Sequence, residues 1–423
     1  MSGKFGFETL QVRGGQDIDP VSKGTAVPIY QSTAYVFDDM QYGADLFALK
    51  KPGNIYTRIT NTTNEVFEKR MAALEGGVAA VSTASGQSAV LLSILNVCGP
   101  GDNIVTAPYL YGGTYTMFEI TLRDMGIEVR FAKSDKTADL EALIDGRTKA
   151  LYLENLGNPA FNVPDYEPII EMAHKKGLCV MVDNTFGCGG YLFRPIEWGA
   201  DVVIHSATKW ICGHGTALGG VVVDGGHFDW TPEKYPLLAA PSESYHGLVY
   251  KEVFGNAAFA GRVRVDGLRN IGAAASPFNS FLMLQGLETL SLRAERCCSN
   301  TLEVARFLAS HPSVESVNYP GLEKNPYHDL AKKYLRHGFG GVLTFRVKGG
   351  FDAAAALVSK LELILHVGSV GDSKSLIVHP ASTTHSQLSP EDQVAAGVYP
   401  NLLRLSVGIE SIEDIIADLN NAL

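Results

Sequence analysis

The sequence predicts an α/β protein, with a mainly parallel seven-stranded sheet in a large domain and a smaller α+β domain after it. Three observations carry that reading. Between residues 78 and 223, seven short segments are apolar along their length, as strands buried on both faces are. Helical patterns fall between several of them, the alternation that builds a parallel sheet covered on both sides. A length of 423 residues is also too great for one hydrophobic core.

Residues 1–62 are rich in Gly, Pro, Thr and Tyr and show little periodicity, so they are expected to form an extended N-terminal arm that makes inter-subunit contacts. Helical pattern starts near Thr63, with Val66, Met71 and Leu74 on one face, and Gly76-Gly77 ends it. Strands are expected at 78–81, 103–106, 128–131, 150–153, 178–182, 202–204 and 220–223, with helices at 88–96, 115–125 and 166–176. Residues 63–265 make up the large domain on this reading. The pattern changes near Asp266. A long helical segment covers 278 to about 308, carrying Leu282, Leu284, Leu287, Leu290 and Leu292. Strands follow near 342–347, 363–366, 375–378 and 402–406. A closing helix starts at Ser411, with Glu413 and Asp414 favourable in its first turn. Residues 266–423 thus form the second domain.

Composition narrows the function. Apolar residues are 46% of the chain and charged residues 19%, the balance of an ordinary globular protein. No apolar run is long enough to span a bilayer, and Met1-Ser2-Gly3-Lys4-Phe5-Gly6 holds no signal-peptide core, so a cytoplasmic protein is expected. A net charge of −10 argues against nucleic acid or an anionic membrane as partner. Cys98, Cys179, Cys188, Cys212, Cys297 and Cys298 show no Cys-x-x-Cys spacing, so neither a zinc site nor a disulfide framework is expected. Cys179 reads as a small core hydrophobe.

Ligands collect beyond the carboxyl ends of strands in such sheets, and Asp183, Ser206, Thr208 and Lys209 all fall there. A lysine with hydroxyls beside it and a carboxylate across from it suits a Schiff base with pyridoxal phosphate (PLP). Lys209 takes the aldehyde carbon, Ser206 and Thr208 hold the phosphate, and Asp183 keeps the pyridine nitrogen protonated. A loop or N-cap carboxylate is the plainer reading of Asp183. A semi-buried lysine loses solvation, so its pKa falls and free amine becomes available for proton transfer. Ser85-Gly86-Gln87-Ser88 follows a strand and opens a helix, where free N–H groups suit a phosphate; an ordinary helix cap is the competing reading. Tyr111, on the Gly112-Gly113 turn, can lie flat on a ring or give a proton to a leaving group. Tyr56 and Arg58 sit in the arm, away from any core strand, and can grip a phosphate in a neighbouring subunit. Arg404 lies inside an apolar strand and needs an anion, either a protein carboxylate or the α-carboxylate of an amino acid. His379 and His385 frame a loop that reads as a substrate entrance, and with no carboxylate nearby they make a poor metal site.

Assembled, these residues resemble the Cys/Met-metabolism family of PLP enzymes, within the aspartate-aminotransferase fold (PLP fold type I), over essentially the whole chain. The stretches that carry the resemblance are Tyr56-Thr57-Arg58-Ile59-Thr60-Asn61, Ser85-Gly86-Gln87, Tyr111-Gly112-Gly113-Thr114-Tyr115, Gly157-Asn158-Pro159, Val182-Asp183-Asn184-Thr185, Ser206-Ala207-Thr208-Lys209 and Leu403-Arg404-Leu405-Ser406-Val407-Gly408. Gly371-Asp372-Ser373-Lys374-Ser375-Leu376 and the stretch from His379 to His385 resemble its O-acetylhomoserine sulfhydrylase branch.

The resemblance implies a set of roles. Lys209 would carry PLP, Asp183 would pair with the ring nitrogen and Tyr111 would stack on the ring. Ser85, Gly86, Gln87, Ser206, Thr208 and Thr185 would contact the cofactor, helped by Tyr56 and Arg58 of an adjacent subunit in a tetramer of two catalytic dimers. Asn158, Ser369, Tyr56 and Arg404 would bind substrate, Arg404 at its carboxylate. The implied reaction is γ-replacement: O-acetyl-homoserine and sulfide give homocysteine and acetate, and methanethiol in place of sulfide gives methionine. Thr62 stands where the family has proline, a change that costs little at a helix start. Gly113 stands where methionine γ-lyases carry cysteine, which leans away from that activity. A γ-lyase or cystathionine-forming enzyme remains the alternative within PLP chemistry. From another class, a nicotinamide dehydrogenase is represented by Gly213-His214-Gly215 with Gly219, a near miss to the dinucleotide fingerprint.

Overall fold

A computed structural model of the chain describes residues 5–384, 386, 393 and 397–423. All seven strands of the large sheet form: β1 (Ala79–Thr83), β2 (Asn103–Thr106), β3 (Glu128–Phe131), β4 (Thr148–Glu154), β5 (Cys179–Asp183), β6 (Val202–Ser206) and β7 (Gly220–Asp224). Their order is β1-β7-β6-β5-β4-β2-β3. Strand β7 runs antiparallel to β1 and β6, and the remaining pairs are parallel. Alternation along the strands divides the core. Tyr152, Met181 and Ile204 pack into one apolar cluster, while Leu151, Leu153, Val182 and Val203 pack into another on the opposite face. The central strands are therefore apolar along most of their length because both faces are covered, whereas the edge strand β3, with Glu128 and Arg130, is only partly buried. Cys179 is fully buried among them.

The arm contains two helices that its composition hides, α1 (Phe7–Arg13) and α2 (Met40–Phe47). Helix α1 buries little beyond Leu10 and Gln11, too few positions to set a period. Gln11 exchanges two hydrogen bonds with Ser291, and the fully buried Arg70 donates to Gly14 O and Gln16 Oε1. These bonds tie the start of the arm to its own chain. Farther along, Val21, Val36 and Met40 are exposed.

Helix α3 (Thr62–Glu75) begins where Asn61 Oδ1 accepts from the N–H groups of Thr63 and Asn64, and it ends at Gly76, whose φ of 83° only glycine adopts freely. Met71 and Leu74 are buried as expected, and Phe67 joins them, whereas Val66 is only partly covered. Helix α4 (Gly86–Leu95) follows β1. The helix expected at 115–125 starts at Gly112 and widens into a π turn over Met117–Leu122.

The predicted long helix is two, Pro277–Glu288 and Leu290–Ser310. They break at Thr289, where Arg293 reaches back to Thr289 Oγ1, Gly286 O and Trp210 O. A second sheet of five strands follows: β8 (Val314–Asn318), β9 (Val342–Val347), β10 (Leu365–His366), β11 (Leu376–Val378) and β12 (Leu402–Ser406), ordered β10-β11-β12-β9-β8. Strand β8 lies at an edge, and its Glu315, Ser316 and Asn318 kept it from reading as an apolar run. Strand β10 is shorter than expected because the N–H groups of Glu362, Leu363 and Ile364 donate to the Asp418 carboxylate instead of a strand. The helices Gly350–Lys360 and His328–Tyr334 were not anticipated. The closing helix runs Ile412–Ala422 and packs Ile415 and Leu419 against Leu403 and Leu405. No helix of the described residues is long and apolar enough to cross a membrane.

Candidate active site

The carboxyl ends of β4, β5 and β6 open into a cavity of about 190 Å³. Lys209 lies one tight turn beyond β6, its N–H donating to Ser206 O at 3.2 Å. Its amine reaches Ser369 Oγ at 3.0 Å. Burial and the nearby Arg404 charge lower the amine to about 8. Ser369 comes from the segment between β10 and β11, so the second sheet supplies part of the wall.

Asp183 ends β5. Its Oδ1 accepts from Thr185 N (3.0 Å) and Thr185 Oγ1 (2.5 Å), and its Oδ2 accepts from Tyr152 OH (3.3 Å). Thr185 Oγ1 in turn accepts from Ser206 N at 2.9 Å, which locks the ends of β5 and β6 together. Burial raises the Asp183 carboxyl, and the Thr185 bonds oppose that shift. It is a partly buried carboxylate with no basic side chain bonded to it among the described residues.

Ser85 caps α4: its Oγ accepts from Ser88 N while Ser88 Oγ accepts from Ser85 N. The helix-cap reading of this stretch therefore holds. Ser85 Oγ serves the helix, and the N–H groups of Gly86 and Gln87 have no acceptor among the described residues. A Cβ on Gly86 would lie 2.7 Å from Ser206 Cβ, so glycine is what lets α4 approach β6. The Thr208 hydroxyl lines the cavity while exchanging bonds with the Gly219 backbone. Tyr111 presents a half-exposed ring, and its N–H donates to Glu154 Oε1 at 2.6 Å. Gly113 sits beneath that ring; a Cβ there would lie 2.7 Å from both Tyr111 Cε1 and Gln87 Nε2.

Arg404, on β12, is 3% exposed. It donates to Asn158 Oδ1 (3.2 Å) and Ser369 O (3.3 Å), and its Nε is buried with no partner. No carboxylate among the described residues bonds it, so the protein-salt-bridge reading of this arginine is set aside. Burial lowers its guanidinium to about 10.

Other expected residues lie elsewhere. Tyr56 and Arg58 do not line the cavity; the Arg58 guanidinium rests over the Tyr56 ring, 5.5 Å from its centre. His379 bonds Ser382 Oγ and Pro400 O and does not itself line the cavity, while Thr384 O of the loop it opens lies against Gly112, beside Tyr111. His385 is outside the described residues. After Gly213 and Gly215 the next regular element is strand β7, without the helix that the dinucleotide fingerprint requires. Glu154, Tyr152 and Thr114 belong to the site and were missed. Glu154 had the signal that flagged Asp183, a carboxylate closing an apolar strand.

The set fits PLP. Lys209 offers an amine lowered to about 8, within reach of its neutral form, Asp183 a carboxylate for a ring nitrogen, and the start of α4 free donors for a phosphate.

Comparisons with known proteins agree. The family described as Cys/Met metabolism PLP-dependent enzyme matches residues 8–423. O-acetyl-L-homoserine sulfhydrylase 1 of Thermus thermophilus is 52% identical over 418 residues, covering 99% of each chain. Homocysteine synthase of Schizosaccharomyces pombe is 53% identical over 419 residues, covering 99% of this chain and 98% of that protein. A crystal structure from Campylobacter jejuni that carries an N'-pyridoxyl-lysine-5'-monophosphate residue superposes with a TM-score of 0.96 at 41% identity, covering 99% of each chain.

Proposed function

The chain belongs to the Cys/Met metabolism PLP-dependent enzyme family, and from that premise we propose that it catalyses γ-replacement on an O-acylated homoserine, converting O-acetyl-L-homoserine and sulfide to L-homocysteine and acetate. The observation that carries the reading is Arg404: a buried guanidinium without an acidic partner among the described residues, in the cavity that also holds Lys209. An amino acid's α-carboxylate supplies the missing anion, and two parallel N–H bonds fix its direction. Asn158 and Ser369 hold Arg404 in place through the bonds they accept.

The bound cofactor supplies an electron sink for charge that develops at the substrate α-carbon. Lys209 removes the α-proton and then shifts a proton at the β-carbon. The C–O bond at the γ-carbon breaks, acetate leaves with the electron pair, and hydrosulfide forms a C–S bond at the same carbon. Asp183 holds the ring nitrogen's proton, and Tyr111 covers the ring face. The free N–H groups of Gly86 and Gln87 hold the phosphate, with the Ser206 and Thr208 hydroxyls. Tyr56 and Arg58 complete the phosphate site of a partner subunit, and the assembly is a tetramer of two such dimers. Their exposure and their distance from the cavity of their own chain support this placement.

The test is product analysis with O-acetyl-homoserine, with and without sulfide. Homocysteine and acetate in equal amounts, formed only when sulfide is present, are expected. Release of 2-oxobutyrate and ammonia without any thiol would overturn the proposal in favour of a lyase. Succinyl- and phospho-homoserine in the same assay identify the preferred leaving group.

A further inference from the structure

Strands β4 and β5 end side by side, and their register sets Glu154 opposite Asp183. Parallel strands lie about 4.8 Å apart, so the two carboxyls are close neighbours. Glu154 is 7% exposed, and Asp183, partly buried, lines the same cavity. Two such acids do not both ionise without a cation between them. Hydrogen bonding decides which keeps the charge. Asp183 accepts from Thr185 N, Thr185 Oγ1 and Tyr152 OH, whereas Glu154 accepts from Tyr111 N. The other ionisable groups here are Lys209, Arg404 and Tyr111 on the cavity wall, Tyr152 on β4 and His205 on β6. His205 lowers Asp183 further. Glu154 has no comparable help: burial and the Asp183 charge push its carboxyl well above the ordinary carboxylate range.

We propose that Glu154 is a positioning residue, kept as a neutral acid beside ionised Asp183, which anchors the Tyr111 turn against the cofactor ring without adding a second negative charge. The inference rests on the proposed pairing of Asp183 with the ring nitrogen. One protonated nitrogen needs one carboxylate. A second would draw Lys209 toward its charged form and remove the free amine on which proton transfer depends.

Three variants of the holoenzyme test it. Glu154→Ala is expected to weaken PLP retention and lower kcat/KM by about tenfold, the cost of leaving the buried Tyr111 N–H unpaired. Glu154→Gln keeps the acceptor and is expected to recover most of that loss, with both limbs of the pH–rate profile where the wild type has them. In infrared difference spectra, wild type minus Glu154→Gln should show the carbonyl band of a protonated carboxyl, shifting in D₂O. A missing band, or a displaced pH profile in Glu154→Gln, would show an ionised Glu154 and overturn the inference. Asp183→Asn reports on the underlying reading: if PLP affinity and its visible spectrum survive that change, the ring-nitrogen assignment is what fails.

Discussion

Arg404 sets the chemistry of its neighbour. Burial first, and then the Arg404 charge, bring the Lys209 amine to about 8. The neutral amine is what attacks an aldehyde, so the rate at which apoenzyme takes up PLP should rise with pH and level off above about 8. Removing the cation by Arg404→Leu should move that midpoint upward and raise KM for O-acetyl-homoserine by tenfold or more, with little change for sulfide. Stopped-flow absorbance at several pH values and initial rates in each substrate check both. An uptake midpoint that stays put would remove Arg404 as the cause. Lys209, Asp183 and Arg404 were legible in the sequence because each is a charge set against an apolar run, a mismatch that calls for a partner. Glu154 carried the same mismatch. Tyr152 did not, because a tyrosine within a buried strand looks like any core aromatic until its hydroxyl is seen to meet Asp183.

Among elements, the large sheet was readable almost strand by strand, since covering on both faces leaves a plain apolar signal. The small sheet was harder. Its edge strand β8 is half polar, and β10 loses its first residues to Asp418. A tertiary contact decided that boundary, and no local pattern reveals it. Contacts between elements also set the pH response. Asp201, buried ahead of β6, lies 3.0 Å from His174 Nε2 and 3.0 Å from His227 Nε2. Hydrogen bonding to Asp201 raises His227 from 6.5 to about 9. Protonated His227 thus favours the folded state. Its contribution is fully present below pH 6.5 and is lost as pH rises through about 9. Urea midpoints for wild type and His227→Gln should therefore differ most at neutral pH and below, and converge near pH 10 (order of magnitude). Equal pH slopes for the two proteins would refute this contribution of His227.

On the scale of the whole molecule, the first sixty residues were the least legible. Their composition hides α1 and α2, and the role proposed for Tyr56 and Arg58 concerns another chain. If Tyr56 and Arg58 complete a neighbour's site, mixing inactive Tyr56→Phe/Arg58→Ala chains with inactive Lys209→Ala chains should restore about a quarter of wild-type activity. That figure follows when subunits pair at random and one of the two sites in each mixed dimer is intact. Mass spectrometry verifies the exchange, and verified mixed dimers without activity would rule out a shared site.

The two sheets meet at the Lys209 amine, where β6 delivers the lysine and β12 delivers the guanidinium that adds to burial in making it a weak base. A docked α-carboxylate would quench that guanidinium's field, and the lysine would regain proton affinity at the moment an α-proton comes within reach.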